Sequence, residues 1–104
     1  MPVPLPQLQT EQTSCVDLLK ALADETRLAV VRQLMGGPMR VGEINAELQV
    51  EQTLLSHHLK VLRDVGLVSA ERDGKAVIYR LAPHVEAGKP GPGINLGCCS
   101  LSFE

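Results

Sequence analysis

The chain has no tryptophan, one phenylalanine and one tyrosine in 104 residues. Its core must therefore come from Leu, Val, Ile and Ala, which favours packed helices over a β-sandwich. It has no apolar run as long as a membrane span. The opening Met1-Pro2-Val3-Pro4-Leu5-Pro6 lacks the charged start and apolar stretch of a secretory signal. A cytoplasmic protein with no membrane partner is expected. There is no Cys-x-x-Cys pair, and no base stands clearly beside a thiol, so a thiol enzyme is not expected. Nor is there an excess of positive charge: the formal net charge is −2, which argues against a generally basic nucleic-acid binder.

What charge there is lies unevenly. Residues 52–80 carry five Lys/Arg against three Asp/Glu, whereas residues 1–51 carry four against seven. The positive segment opens with Gln52-Thr53-Leu54-Leu55-Ser56-His57-His58-Leu59-Lys60-Val61-Leu62. At helical spacing Leu55, Leu59 and Leu62 form one stripe. Gln52, Thr53, Ser56, His57, Lys60 and Arg63 fall on the other side. Short hydrogen-bonding side chains at the start of a helix and cations further along suit base edges and phosphates respectively. The bland alternative is an ordinary solvated face.

The length suits one domain. Residues 1–9 read as a flexible, Pro-rich arm, residues 10–82 as the folded domain and residues 83–104 as a Gly/Pro-rich tail. Ser14-Cys15-Val16-Asp17 fits a capping box opening a first helix. Asp24 is a good N-cap for a second, which ends at Gly36-Gly37-Pro38. Residues 40–48 predict a short third helix with Ile44 and Leu48 inward. A tight turn then leads into the fourth, the 52–62 stretch, which makes a helix-turn-helix. After Gly66 the period changes to strands over 67–72 and 76–81 around Asp73-Gly74-Lys75, a hairpin turn. Such a hairpin after a reading helix is a wing, with Arg72 and Lys75 at its tip. The expected fold is mainly α with a β-hairpin wing.

Leu22-Ala23-Asp24-Glu25-Thr26-Arg27-Leu28, then Ser56-His57-His58-Leu59-Lys60-Val61-Leu62-Arg63-Asp64-Val65-Gly66-Leu67-Val68, then Arg72-Asp73-Gly74-Lys75 with Tyr79-Arg80-Leu81, together resemble the ArsR/SmtB family of metal-sensing bacterial repressors. The resemblance covers about residues 15–82. It implies a winged helix-turn-helix homodimer that binds a palindromic double-stranded operator and is released by an inducer. It also implies that His57 faces DNA, while His58 is read as structural. Thr53 stands where many members have Pro or Ser. The DNA-contact candidates are Gln52, Thr53, Ser56 and His57 for base edges, and Lys60, Arg63, Arg72 and Lys75 for phosphates or the wing.

Two inducer sites known in the family are missing. Residues 41–48 hold no Cys, so the third-helix arsenic site is absent. Only His84 follows the wing, so a zinc site on a C-terminal helix is also absent. The tail offers Cys98-Cys99 instead, after a 87–93 segment that three Gly and two Pro keep from forming a helix. Adjacent thiolates suit a soft ion if the backbone turns there, and Gly97 eases that turn. Trivalent arsenic or antimony is expected to take three sulfurs, and the only other thiol is Cys15. In the family the first helix lies at the dimer interface, so the resemblance allows Cys15 to complete the site from the same chain or across the dimer. Some members with such a pair respond to arsenite through a third Cys a few residues on, where this chain has Ser100 and Ser102. The expected inducer is As(III), with Sb(III) as a related ion, held by Cys98, Cys99 and Cys15. Methylarsenite held by two sulfurs, and thiol oxidation or reactive sulfur, remain as alternatives.

Overall fold

The computed structural model describes residues 14–86 and 93–103. The expected 1–9 arm and most of the 87–93 loop lie outside them. Helix α1 spans Cys15–Leu22 and α2 spans Glu25–Leu34. A two-residue strand β1, Met39–Arg40, precedes α3, Val41–Leu48, and α4, Gln52–Asp64. Strands β2, Val68–Asp73, and β3, Ala76–Leu81, form the wing. A single turn α5, Pro83–Glu86, and a hairpin of β4, Gly93–Asn95, and β5, Ser100–Ser102, complete the described chain.

Local chemistry sets the helix starts. The Ser14 hydroxyl accepts from the Asp17 N–H at 3.2 Å, and the Asp24 carboxylate accepts from the Arg27 N–H at 3.0 Å. Glu51, which sequence reasoning passed over as part of a turn, caps α4 by accepting from the Leu54 N–H at 3.0 Å. Each acceptor satisfies a donor that the first helical turn leaves open. The turn between α3 and α4 is held by Asn45, whose side chain donates to the Val50 carbonyl and accepts from the Val50 N–H, both at 2.9 Å. That clamp keeps Gln49 in the left-handed region at φ 53°.

Leu55, Leu59 and Leu62 of α4 are buried with Val30, Val31 and Leu34 of α2 and Ile44 of α3. Full burial of a Leu side chain contributes roughly 2 kcal/mol. The wing is wider than its sequence suggests: the sheet runs β1-β3-β2, with Met39 opposite Tyr79 and Arg40 opposite Ile78. A two-residue strand has no periodicity to read, so the sequence pattern assigns Arg40 to the third helix and gives Met39 no element. The β2–β3 register pairs Asp73 with Ala76, leaving Gly74 and Lys75 as the turn, with Gly74 at φ 67°.

The tail folds back onto its own chain. Ile94 is fully buried and Leu96 nearly so, beside Val85 of α5. Phe103 lies under the Arg32 guanidinium of α2, 5.0 Å from the ring centroid, a favourable cation–π contact.

The caps make acid stability testable. Backbone N–H donors at the helix starts hold the Asp24 and Glu51 carboxyls below their usual range, from Arg27 for Asp24 and from Thr53 and Leu54 for Glu51. Both contributions are fully present above the ordinary carboxyl pKa of about 4 and are lost as pH falls through the lowered folded values. Urea midpoints measured from pH 7 down to pH 3 are expected to fall less steeply for Glu51→Gln than for the wild type.

Candidate functional site: a reading face and a three-thiol cluster

Burying Leu55, His58, Leu59 and Leu62 on one side of α4 turns the opposite side outward. Gln52, Thr53, Ser56, His57, Lys60 and Arg63 are all exposed, as are Arg72 and Lys75 of the wing. Lys60 is not a free cation: its Nζ donates to Asp64 Oδ2 at 2.8 Å, which lowers the Asp64 pKa. Both groups are exposed, and such a pair is weak enough to yield to a phosphate. In β2–β3, Arg80 pairs with Glu71 at 3.0 Å. Arg63, Arg72 and Lys75 make no ion pair among the described residues.

One cation escaped the sequence reading. Arg40, at the end of β1, lines an open cleft of about 640 Å³ with Gln52 and Ser56 of α4 and Ala76 and Val77 of β3. Its backbone N–H donates to Glu43 Oε1 at 2.7 Å, and its side chain forms no ion pair among the described residues. The cleft separates α4 from the wing, so Arg40 belongs to the same face. Only the β1–β3 pairing, which joins residues some forty positions apart, reveals this.

The thiols come from the two ends of the described chain. Cys15 is the first residue of α1, and Cys98 and Cys99 lie in the β4–β5 turn. That turn is closed by the Leu96 N–H donating to the Cys99 carbonyl at 2.8 Å, and by the Gly97 N–H donating to Asn95 Oδ1 at 2.8 Å. Gly97 takes φ 92°, the left-handed region that a side chain disfavours. The backbone thus turns where the adjacent pair needs it to. Cys15 and Cys98 are joined as a disulfide within one chain. The Cys99 thiol lies 4.0 Å from the Cys15 sulfur and 3.9 Å from the Cys98 sulfur. All three sulfurs fall within 4.8 Å of one another. As a donor set, three clustered sulfurs fit a thiophilic ion once the disulfide is reduced.

The family model for bacterial regulatory proteins of the arsR family matches residues 24–70. The chain is 41% identical over 80 residues to the biofilm growth-associated repressor of Agrobacterium fabrum, covering 77% of this chain and 68% of that protein. The chain belongs to the arsR family. It is 47% identical over 68 residues to the transcriptional repressor SmtB of Mycobacterium tuberculosis, covering 65% of this chain but only half of that protein's length. It is 42% identical over 73 residues to the arsenical resistance operon repressor of Escherichia coli, covering 69% and 62% of the two. Among solved structures, reduced HlyU from Vibrio cholerae superposes with a TM-score of 0.66 at 36% identity, over 80% of this chain and 88% of that one. The homodimeric winged helix-turn-helix domain Mb0332 from Mycobacterium bovis gives 0.70 at 29% identity, over 84% and 78%. Architecture and relatives together make this arsR-family member a winged-helix transcription regulator rather than an enzyme. No described helix is long and apolar enough to cross a membrane.

The turn geometry has a direct consequence. Gly97→Ala forces a Cβ into the left-handed region, a cost of about 1 kcal/mol. Denaturant unfolding of the reduced protein is expected to show that loss, and Cys99 is expected to react faster with iodoacetamide as the turn loosens.

Proposed function

We propose that the protein is a homodimeric repressor that holds a palindromic operator and releases it when As(III), or the related Sb(III), binds Cys15, Cys98 and Cys99. The observation that carries this reading is the gathering of three sulfurs within 4.8 Å from α1 and the tail turn. A trivalent ion with three sulfur bonds matches that donor count; a two-sulfur ligand such as methylarsenite leaves one thiol idle. The similarity to the arsenical resistance operon repressor supports the same inducer class.

The dimer reading rests on α1, where Val16 and Leu19 are 58% and 41% exposed and offer an apolar patch to a second copy. Mb0332, a similar structure, is homodimeric. In such a dimer the two α4 helices enter successive major grooves about one helical turn apart. Gln52, Thr53, Ser56 and His57 face base edges, while Lys60, Arg63, Arg72, Lys75 and the added Arg40 face phosphates. Release is linkage: the ion must favour a dimer geometry in which the helices no longer match their half-sites. Cys15 sits beside Val16, so drawing α1 toward the tail acts on the dimer patch directly.

The Cys15–Cys98 disulfide favours a second reading, a thiol-redox sensor of the same fold. Two thiols lose two electrons and two protons to an oxidant such as a peroxide or a low-molecular-weight disulfide. The oxidised protein then keeps only Cys99 as a free thiol, too few for a three-sulfur site. The two inputs therefore exclude each other at one cluster.

Fluorescence anisotropy on operator DNA under reducing conditions, titrated with arsenite, tests the first reading. Release near one arsenite per protomer is expected. Cys15→Ser, Cys98→Ser and Cys99→Ser are each expected to bind DNA normally and to need at least about tenfold more arsenite. Cys15→Ser that still responds fully to methylarsenite points to a two-sulfur site. A complex that ignores arsenite but dissociates on mild oxidation leaves the redox reading standing in its place.

The Arg40 contact has its own readout. Arg40→Gln is expected to weaken operator binding and to reduce the slope of log affinity against log salt by about one, as for one lost phosphate contact. An unchanged slope removes Arg40 from the interface.

A further inference from the structure

His58 is the one buried polar side chain among the described residues, 7% exposed on the inner face of the reading helix. A buried imidazole needs a hydrogen-bond partner, and it has one: Arg27 Nη1 lies 3.0 Å from His58 Nδ1. A guanidinium can only donate, so Nδ1 accepts and the ring proton sits on Nε2. The same guanidinium donates from Nε to the Ala21 carbonyl at 2.7 Å, in the last turn of α1. Arg27 is itself anchored, because its backbone N–H donates to the Asp24 carboxylate that caps α2. That carboxylate, 3.9 Å from His58 Nδ1, is the other charged group facing the imidazole.

We propose that Arg27 is a positioning residue for DNA reading: a strut that locks α1 to the middle of α4 and carries movement of the thiol-bearing helix to the reading face. The planar guanidinium fixes both directions at once, which a lysine ammonium cannot do from one nitrogen. Ala21 lies six residues along α1 from Cys15, roughly 9 Å at helical rise. His58 lies in the same turn of α4 as Ser56 and His57. Packing of the leucine stripe sets how α4 is turned in the core; two hydrogen bonds from one rigid plane add a directional tie between α4 and the end of α1. The transmission half of the proposal rests on the thiol cluster being the inducer site; the positioning half does not.

Operator affinity of the reduced, ligand-free protein decides the positioning half. Arg27→Lys and His58→Leu are each expected to weaken binding about tenfold, and the double variant no more than the worse single, the sign of one shared interaction. His58→Gln keeps an acceptor for Arg27 and is expected to stay within about twofold of wild type. Multiplicative losses in the double variant, or a His58→Gln as weak as His58→Leu, overturn it; the Gln variant also serves where the Leu variant folds poorly.

Arsenite decides the transmission half. Arg27→Lys is expected to bind arsenite with wild-type stoichiometry, read from thiol titration. The arsenite-induced drop in its operator affinity is expected to shrink at least about fivefold. A full drop in Arg27→Lys overturns the strut as a transmitter. A wild-type protein that ignores arsenite refutes the inducer reading alone; the same comparison is then made between reduced and disulfide-bonded protein, where an equal redox effect in wild type and Arg27→Lys overturns transmission.

Discussion

Burial of one stripe of α4 is the constraint on which the rest of the molecule depends. A helix of 13 residues is marginal alone in water, so its existence and its rotation both come from packing Leu55, Leu59 and Leu62 into the core. Once those three are inside, the helical repeat leaves no choice about Gln52, Ser56, His57, Lys60 and Arg63: they face out. Rotating α4 by one residue position to re-aim the reading face would expose a buried leucine or bury a cation. The core therefore does the aiming, and substitutions on the outer face change its chemistry without changing where it points.

The net charge of −2 does not oppose this placement, because the field that matters is local. The cations gather on α4, on the wing tip and at Arg40, and screening over about 8 Å at physiological salt isolates that face from acidic groups elsewhere. Within the face the charges are graded. Arg63, Arg72, Lys75 and Arg40 make no ion pair among the described residues, whereas Lys60 is paired with Asp64.

Much of the fold was legible because its signals are local. Ser14 and Asp24 announce their helices by side chains three residues from the N–H groups they accept. The Leu stripe, the Asp73-Gly74-Lys75 turn and the alternating strands each lie within a dozen residues. What was missed is what depends on distant pairing. Strand β1 exists only because Met39 and Arg40 lie against Tyr79 and Ile78, and that pairing brings Arg40 onto the reading face. In the tail the alternating Leu101 and Phe103 read as a short extended segment able to dock, as the β5 strand does, but the β4 pairing and the burial of Ile94 and Leu96 that complete the hairpin are invisible in a stretch rich in Gly and Pro. The reading of His58 as structural agrees with its burial, yet nothing in its spacing indicates that Arg27, 31 residues earlier, is its partner. For the thiols, spacing identified the adjacent pair and elimination left Cys15; folding of the tail brings the three within reach of one another.

The thiol cluster depends on the position of the tail. Its sulfurs meet only when the tail is docked, so any ligand that needs all three selects the docked arrangement. A ligand shifts an equilibrium only by its difference in affinity between two states. Ile94 and Leu96 are buried in the core, and Leu101 and Phe103 pack against it, so apolar contacts as well as sulfur hold the tail. A ligand that also draws α1 toward the turn gains a difference that holding the tail alone does not supply. A tenfold change in operator affinity requires about 1.4 kcal/mol of such a difference, the scale of one or two hydrogen bonds from a rigid donor. The Arg27 guanidinium, bonded to the end of α1 and to the middle of α4, is placed where a small rotation of one helix alters bonds of that size on the other.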